Sequence, residues 1–298
     1  MSILIDDNTV AIVQGITGRE GRMITKDSLS YGTKIVGGVT PGKGGGRIFG
    51  VPVYDCLQDL LDVNHADATI ISVPPLSVKE AAIEAIEGQI KLIVIVTERT
   101  PRKDIAYILS MASDYGLRVM GPNSLGIIAP SKCKLGSVGG SQENTLRTFR
   151  RGNVGIISRS GGMISEIASL LTENNIGQST CVSIGGDPLV GSSFKDLYML
   201  FQEDSETRVV ILFCEPGGVM EEEIADYYRQ TGNKKPIIAF VAGRFVDDMR
   251  GTRFGHAGVI VEGERGSARG KIEAFKSAGI RVADRLRDLV LMTEETFV

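Results

Sequence analysis

His256 stands in a sequence context that suits a phosphoryl-accepting nucleophile. It lies within residues 253–258, where small residues on both sides leave an imidazole accessible. Glu215 follows an apolar run in the same half of the chain. Its carboxylate can orient the ring, so that one nitrogen attacks while the other donates a hydrogen bond. A lone histidine is more often structural, and that alternative stays open here. The second histidine, His65, lies in a polar loop and is predicted to be a surface residue.

An anion site is predicted in the same half of the chain. Ser160, Gly161 and Gly162 stand where a predicted strand gives way to a predicted helix. A helix start presents free backbone N–H groups and the positive end of the helix dipole. Glycine turns at residues 184–188 and 215–218 follow two further predicted strands. Together these loops predict a phosphate or carboxylate site at the carboxyl edge of a sheet.

The first half of the chain begins with a glycine turn of the kind that binds phosphates. Gly15, Gly18 and Gly21 lie between a predicted strand and a predicted helix, where glycines let a pyrophosphate approach the backbone. A dinucleotide site would also need an acid after the next strand to hold the ribose hydroxyls, and the chain has Lys43 there instead. The lysine favours a ligand with a further phosphate and argues against a nicotinamide-dependent dehydrogenase. A simple tight turn is the alternative.

A third loop belongs to the same predicted edge. Thr97 and Glu98 follow the strand that ends at Val96, and the Thr97 hydroxyl is placed to donate to a phosphate or carbonyl. The basic residues of the next segment, Arg99, Arg102 and Lys103, fit a phosphate site and an exposed helix start equally well.

Short β-branched runs alternate with amphipathic segments along the whole chain, which predicts two tandem doubly wound α/β domains. The predicted strands are residues 10–13, 34–39, 68–73, 92–96, 119–120, 154–158, 180–183, 209–213, 237–241 and 279–282. The predicted helices are residues 21–31, 78–87, 101–115, 163–175, 192–203, 219–231, 267–278 and a last one from 283 or 284 to 293. Residues 129–152 lack periodicity. The predicted domains are therefore 1–128 and 153–298, with 129–152 as a linker.

Composition excludes several classes of protein. The 298 residues carry 33 Lys and Arg against 36 Asp and Glu, so bulk nucleic-acid binding is not expected. Four scattered cysteines and two histidines predict neither a disulfide framework nor a metal site. No apolar run is long enough to span a membrane and no leader is evident, so a cytoplasmic location is expected.

These motifs, in this order, resemble the small (α) subunit of succinyl-CoA synthetase and its relatives, acyl-CoA ligases that pass phosphate through a histidine. The likeness extends over essentially the whole chain. It implies a Rossmann-like CoA-binding domain followed by a flavodoxin-like ligase domain. The matching segments are residues 2–6, 15–21, 36–45, 121–123, 158–161, 183–188 and 255–258.

The resemblance also implies roles for individual residues. His256 would be phosphorylated and Glu215 would orient it, although Pro216 stands where the family usually has an aliphatic residue. The residues implied to contact coenzyme A are Thr17, Gly18, Arg19, Glu20, Lys43, Val96, Thr97 and Glu98. A larger (β) subunit with an ATP-grasp domain would bind ATP and magnesium, in a heterotetramer or higher heteromer. The chain itself shows no phosphate-binding Gly-x-x-x-x-Gly-Lys-[Ser/Thr] loop and no ATP-grasp half.

The acid substrate is where the chain departs from the succinate pattern. Gly162 and Ser165 stand where the succinate enzymes have a threonine and a tyrosine, and both changes remove bulk near the predicted acid site with Ser160 and Gly161. This stretch is similar to the matching half of ATP-citrate lyase. We therefore expect the small subunit of a citryl-CoA synthetase. The alternatives are a succinate–CoA ligase, a malate–CoA ligase, and a CoA-binding regulator without activity.

Overall fold

The computed structural model describes residues 2–232, 235–245 and 266–297, which form two seven-stranded sheets flanked by helices. The strands are β1 (Val10–Gln14), β2 (Lys34–Val39), β3 (Arg47–Ile48), β4 (Val51–Tyr54), β5 (Ala68–Ile71), β6 (Leu92–Ile95), β7 (Arg118–Met120), β8 (Gly126–Ala129), β9 (Cys133–Gly136), β10 (Arg151–Ser158), β11 (Gln178–Ser183), β12 (Val209–Cys214), β13 (Ile237–Val241) and β14 (Arg281–Ala283). The α-helices are α1 (Arg19–Tyr31), α2 (Leu57–Leu61), α3 (Val78–Glu87), α4 (Arg102–Asp114), α5 (Gln142–Thr148), α6 (Gly161–Glu173), α7 (Phe194–Glu203), α8 (Met220–Gln230), α9 (Ala268–Ser277) and α10 (Asp288–Phe297).

The first sheet has the strand order β3-β4-β2-β1-β5-β6-β7. Every neighbouring pair is parallel except β3 with β4. Without the edge strand β3, this is the 3-2-1-4-5-6 order of dinucleotide-binding folds. All residues of β5 and β6 are buried, because helices cover both faces of a parallel sheet. The strand order reverses between β1 and β5, so the carboxyl ends of these two strands mark the expected ligand crevice.

The second sheet has the order β14-β13-β12-β10-β11-β8-β9. Its parallel part, β11-β10-β12-β13-β14, follows the 2-1-3-4-5 order of flavodoxin-like folds, and β8 and β9 extend it as an antiparallel hairpin. The order reverses between β10 and β12. The prediction of two tandem doubly wound domains, Rossmann-like and then flavodoxin-like, is confirmed.

The prediction of an irregular linker over residues 129–152 is wrong. Strand β9 and helix α5 lie within it, and β8, which crosses the predicted boundary at residue 128, pairs with β11 of the second sheet. Both strands of the hairpin are only four residues long and buried throughout, so they show no alternation of polar and apolar residues. The charged Lys134 in the middle of β9 further hides the strand in the sequence.

The two sheets share one apolar core. A continuous cluster of buried residues includes Val13 and Val94 from the first sheet and Leu135 and Leu212 from the second. A polar contact joins the same layers, since the Thr33 hydroxyl donates to the Lys134 carbonyl at 2.8 Å and accepts from its N–H at 3.1 Å. The two carboxyl edges are therefore held in a fixed relation to each other.

Candidate active site

A cleft of about 440 Å³ opens at the carboxyl edge of the first sheet, between the ends of β1, β5 and β6. It lies at the point where the strand order reverses, as expected for a ligand crevice in this fold. Its lining residues are Gly18, Arg19, Glu20, Ser72, Val73, Pro74, Pro75, Val96, Thr97 and Glu98.

The glycine turn before α1 packs backbone against backbone. Gly15 has φ of +87°, and a Cβ atom there would lie 2.2 Å from the Ser72 carbonyl oxygen. A Cβ atom at Gly21 would lie 2.2 Å from the Gly15 carbonyl oxygen. Gly18 stands at the helix start, and no side chain in the described part of the chain caps it. The first N–H groups of α1 are thus offered at the cleft, where they suit an anionic ligand.

Hydrogen bonds fix the walls of this cleft. The Ser72 hydroxyl donates to the Glu20 carboxylate at 3.2 Å. The Thr97 hydroxyl donates to the Val73 carbonyl oxygen at 2.8 Å, and its donation to a ligand stays a prediction. Its oxygen can still accept a hydrogen bond.

Six of the eight residues predicted for the cofactor line the cleft: Gly18, Arg19, Glu20, Val96, Thr97 and Glu98. Thr17 does not line it, and its hydroxyl donates instead to that of Thr40 at 3.2 Å. Lys43 is exposed on the loop after β2 and is also outside the lining.

The basic segment after Glu98 lies outside the cleft as well. Arg99 pairs with Glu98 at 3.5 Å with both side chains largely exposed, and Arg102 and Lys103 are exposed at the start of α4. Arg102 and Lys103 therefore form the exposed start of a helix, and Arg99 lies in the loop before it.

Sequence reasoning missed Ser72, Val73, Pro74 and Pro75, which form one wall of the cleft. The available signal was their position directly after β5, the strand beside the reversal point. The loop after such a strand lies at the ligand crevice irrespective of its residue types.

Helix α6 starts at the point where the strand order of the second sheet reverses. Ser158 ends β10, and its hydroxyl donates to the Ser160 carbonyl oxygen at 2.6 Å. Helix α6 begins at Gly161 with no side-chain cap among the described residues and no acidic residue in its first turn. The arrangement fits a phosphoryl or carboxylate group.

Gly161 and Gly162 have different surroundings. A Cβ atom at Gly161 would lie 2.2 Å from Leu125 Cγ, so only glycine fits beneath that side chain. A Cβ atom at Gly162 would meet no atom of the described residues within 4 Å. Ser165, one turn later, is half-buried. As far as the described residues go, the exposed side of the α6 start has room beside Gly162.

Glu215 follows β12 on the other side of the reversal point, and it is half-buried. Gly217 and Gly218, with φ of +95° and +68°, complete the turn. The adjacent Cys214 is fully buried, and this burial raises the pKa of its thiol well above the ordinary value. Cys214 therefore stays a neutral thiol, and Glu215 directly follows it at the carboxyl end of β12. The structure thus brings the α6 start and the turn formed by residues 215–218, here called the Glu215 turn, to one sheet edge.

The structure tests the prediction for only one of the two histidines. His256 lies outside the described residues, so its role stays a prediction. His65 is 72% exposed, and its Nε2 lies 2.9 Å from Asp67 Oδ1. It is a surface residue, as predicted. Among the described residues, no group of three or more His, Cys, Asp or Glu side chains is arranged to hold a metal ion, and no helix is long and apolar enough to cross a membrane.

Two family descriptions match the chain in the order of its two sheets. "CoA binding domain" matches residues 6–99, which contain the first cleft, and "CoA-ligase" matches residues 157–281, which contain the α6 start and Glu215. Succinate–CoA ligase [ADP-forming] subunit alpha 1 of Archaeoglobus fulgidus is 43% identical over 290 residues, covering 97% of this chain and 96% of its own. An ADP-forming sulfoacetate–CoA ligase subunit of Acholeplasma is 39% identical over 295 residues, covering 99% and 98%.

A solved structure extends this comparison. ATP citrate lyase of Methanosaeta concilii, a mutant in complex with (3S)-citryl-CoA, superimposes with a TM-score of 0.91 at 25% identity. The match covers 99% of this chain and 50% of the lyase chain, so the chain spans half the length of that protein.

Proposed function

Because the chain belongs to the family of the α subunits of ADP-forming succinate–CoA ligases, we propose that it joins citrate to coenzyme A through a phosphohistidine, together with a larger β subunit. The observation that carries the phosphohistidine step is the juxtaposition of the α6 start and the Glu215 turn at one reversal point of the second sheet. ATP and magnesium belong to the partner subunit in this proposal.

Coenzyme A is assigned to the cleft of the first sheet. The uncapped start of α1 offers N–H groups to the pyrophosphate, and the apolar wall formed by Val73, Pro74 and Pro75 suits the less polar parts of the ligand. Lys43 is assigned to a further phosphate outside the cleft, on the exposed loop after β2. The proposal requires the thiol end to reach from this cleft to the second sheet.

The chemistry is assigned to the second sheet in three transfers. A ring nitrogen of His256 attacks the terminal phosphorus of ATP, and ADP leaves, while Glu215 accepts a hydrogen bond from the other ring nitrogen. The acid carboxylate then attacks the phosphorus and releases the histidine, which gives an acyl phosphate. Finally the thiol sulfur attacks the acyl carbon, loses its proton and displaces phosphate. The N–H groups at the α6 start stabilise the phosphoryl oxygens during these transfers.

Citrate is proposed because of the room beside Gly162. A side chain at this position would extend into space that the described residues leave open, and Ser165 lies one turn away on the same helix. The threonine and tyrosine of the succinate pattern would fill this region, whereas glycine and serine leave it for a bulkier tricarboxylate. The likeness in fold to an ATP citrate lyase that holds citryl-CoA supports the same choice.

Succinate is the second candidate, and sequence identity favours it. A succinate–CoA ligase subunit is 43% identical over nearly the whole chain. A subunit named for sulfoacetate matches at 39%, so proteins with this degree of similarity carry names for different acids. Identity alone therefore does not decide the acid.

The test is an acyl-CoA formation assay on the chain co-expressed with its β subunit, with citrate, succinate and sulfoacetate compared side by side. We expect the highest kcat/KM for citrate. The variant Gly162→Thr/Ser165→Tyr should lose at least about tenfold in kcat/KM for citrate and keep its activity with succinate. Ser169→Tyr, a half-buried serine one turn further along α6, is the matched control and should leave the ratio unchanged. Faster turnover of succinate by the unmodified enzyme would overturn the choice of citrate and leave the ligase class intact.

A further inference from the structure

A fully buried lysine lies beneath the Glu215 turn. Lys271 lies on α9 and Glu221 in the first turn of α8, and their side chains are 0% and 1% exposed. The Lys271 Nζ contacts the Glu221 carboxylate and donates to the carbonyl oxygens of Gly217 at 3.0 Å and Gly218 at 3.2 Å. An ammonium group has three protons. Each of them therefore has an acceptor, and two of the three acceptors belong to the backbone of the turn.

We propose that Lys271 is a positioning residue that holds the Glu215 turn in the conformation from which Glu215 orients the phosphorylated histidine. The inference rests on the function proposed above for Glu215. Lys271 itself is buried and acts through the two glycine carbonyl groups, without touching a substrate.

The turn needs an anchor because of its residue types. Gly217 and Gly218 have no side chains to hold them, and glycine has the largest backbone freedom of any residue. Pro216 between Glu215 and Gly217 has a fixed φ and also restricts the backbone of the residue before it. Gly217 is anchored through its carbonyl oxygen, and only Pro216, a residue with a restricted backbone, separates it from Glu215.

The N–H side of the turn is fixed by a second set of contacts, from Gly266 before α9 and from Glu222 on α8. The Gly217 N–H donates to the Gly266 carbonyl oxygen at 2.7 Å, and the Gly266 N–H donates to the Glu222 carboxylate at 2.9 Å. Glu222 Oε2 in turn lies 3.8 Å from the Lys271 Nζ. Lys271, Glu221 and Glu222 thus form one charged cluster. It holds the carbonyl side of the turn directly and the N–H side through Gly266.

A role in stability alone accounts poorly for this cluster. Burial raises the pKa of the Glu221 carboxyl above its ordinary value, and the neighbouring Lys271 acts in the opposite direction. Buried ion pairs can often be replaced by apolar side chains of similar volume at no loss of stability. An apolar pair would not supply the two hydrogen bonds that Lys271 donates to Gly217 and Gly218.

The test uses the chain in complex with its β subunit and measures the rate at which γ-labelled ATP phosphorylates the chain. Lys271→Met/Glu221→Gln removes both charges and keeps the volume. We expect the labelling rate to fall by about tenfold or more, while KM for coenzyme A, which binds at the other sheet, stays unchanged. Lys134→Met is the matched control, because Lys134 is equally buried but its Nζ donates to the Gly140 carbonyl, in a different loop. It should lower the melting temperature and leave the labelling rate of the folded complex unchanged.

A double-mutant cycle with Glu215→Gln separates positioning from general destabilisation. If Lys271 acts through Glu215, adding the Lys271→Met/Glu221→Gln change to Glu215→Gln slows labelling no further. If the two effects are fully additive, or if Lys271→Met/Glu221→Gln is labelled at the normal rate, the positioning role of Lys271 is overturned. The proposed role of Glu215 is not affected by either result. An unchanged rate in Glu215→Gln overturns the proposed role of Glu215 and the positioning role with it.

If Lys271→Met/Glu221→Gln does not fold, Lys271→Arg decides the question. It keeps the charge but changes the donor geometry, so a normal labelling rate in that variant overturns the proposal.

Discussion

The Asn123 side-chain amide donates a hydrogen bond to Asp187 Oδ1 at 3.1 Å, and this contact ties together the carboxyl edges of the two sheets. The backbone of Asn123 makes the same connection, since its N–H donates to the Thr97 carbonyl at 2.9 Å and its carbonyl accepts from Gly186 at 3.1 Å. Arg159, next to the α6 start, donates to the Asp187 carbonyl oxygen at 3.4 Å. A chain of contacts therefore runs from the wall of the first cleft to the second candidate site.

Removing the Asn123 amide should destabilise the protein. Asn123 has φ of +56°, so Asn123→Gly keeps the backbone conformation and deletes only the side chain. The lost hydrogen bond to a carboxylate is worth about 1–3 kcal/mol. Urea unfolding should show a decrease of this size in the free energy of unfolding.

Ser131→Gly is the control for that measurement. Ser131 also has a positive φ, of +64°, but it lies on the surface of the hairpin turn. We expect no loss of stability there. Equal effects of the two variants would mean that the Asn123 amide contributes nothing beyond its backbone conformation.

Gly15→Ala should abolish binding of coenzyme A. Its Cβ would lie 2.2 Å from the Ser72 carbonyl oxygen, and relieving this clash must separate the glycine turn from one wall of the cleft. Calorimetric titration of the complex with coenzyme A measures the effect.

Gly32→Ala is the matched control for Gly15→Ala. Gly32 has φ of +103° at the opposite end of α1, where a Cβ would meet nothing within 4 Å in the part of the chain that the structure describes. It should lose about 1–2 kcal/mol of stability through backbone strain and bind normally. Normal binding by folded Gly15→Ala would show that the ligand lies elsewhere.

Ten of the fourteen strands that the structure describes could be predicted from the sequence, and the exceptions are β3, β4, β8 and β9. Strands β2 and β13 lie at the predicted residues 34–39 and 237–241, because each is a short apolar run followed by turn residues. The location of the glycine turns at carboxyl edges also follows from the predicted alternation of strands and helices.

What could not be predicted depends on contacts between distant residues. The β8–β9 hairpin joins the second sheet through pairing of Ile127 with Val182, and no local pattern in the sequence encodes that choice of neighbour. The role of Lys271 is hidden in the same way, because its acceptors on Gly217 and Gly218 lie more than 50 residues away. The engaged hydroxyl of Thr97 is a further case, since its acceptor on Val73 belongs to another loop.

Glu206 should contribute stability that depends on pH. Its carboxylate accepts from Lys132 Nζ at 2.8 Å and Arg151 at 2.9 Å, and the hydrogen bond from Lys132 is the main reason that its pKa lies below the ordinary value of 4.5. A lowered pKa in the folded state stabilises the protein above the pKa of the unfolded state, and the contribution is lost as the pH falls through the folded value. Glu206→Gln should therefore cost about 1 kcal/mol at pH 7 and nothing at a pH below the folded pKa.

Asp226→Asn serves as the comparison for Glu206→Gln. Its ion pair with Arg229 is 3.3 Å long, and both side chains are more than half exposed. Urea unfolding at several pH values should show little difference from the unmodified protein. A Glu206→Gln deficit that persists unchanged in acid would mean that packing, and not the charge, is responsible.

Lys43→Met should remove the ability to distinguish coenzyme A from its dephospho form. Lys43 is exposed and lies outside the cleft, so it is suited to the phosphate that protrudes from the bound nucleotide and not to the pyrophosphate at the start of α1. A charge-assisted hydrogen bond to that phosphate predicts that the unmodified complex binds coenzyme A about tenfold more tightly than dephospho-coenzyme A. Lys43→Met should bind both ligands with the weaker affinity.

Lys34→Met is the control, because it removes an exposed lysine from the amino end of β2, away from the carboxyl edge. It should keep the preference for coenzyme A over dephospho-coenzyme A. A preference that survives in Lys43→Met would assign the protruding phosphate to another cation, with Arg19 in the lining of the cleft as the next residue to replace.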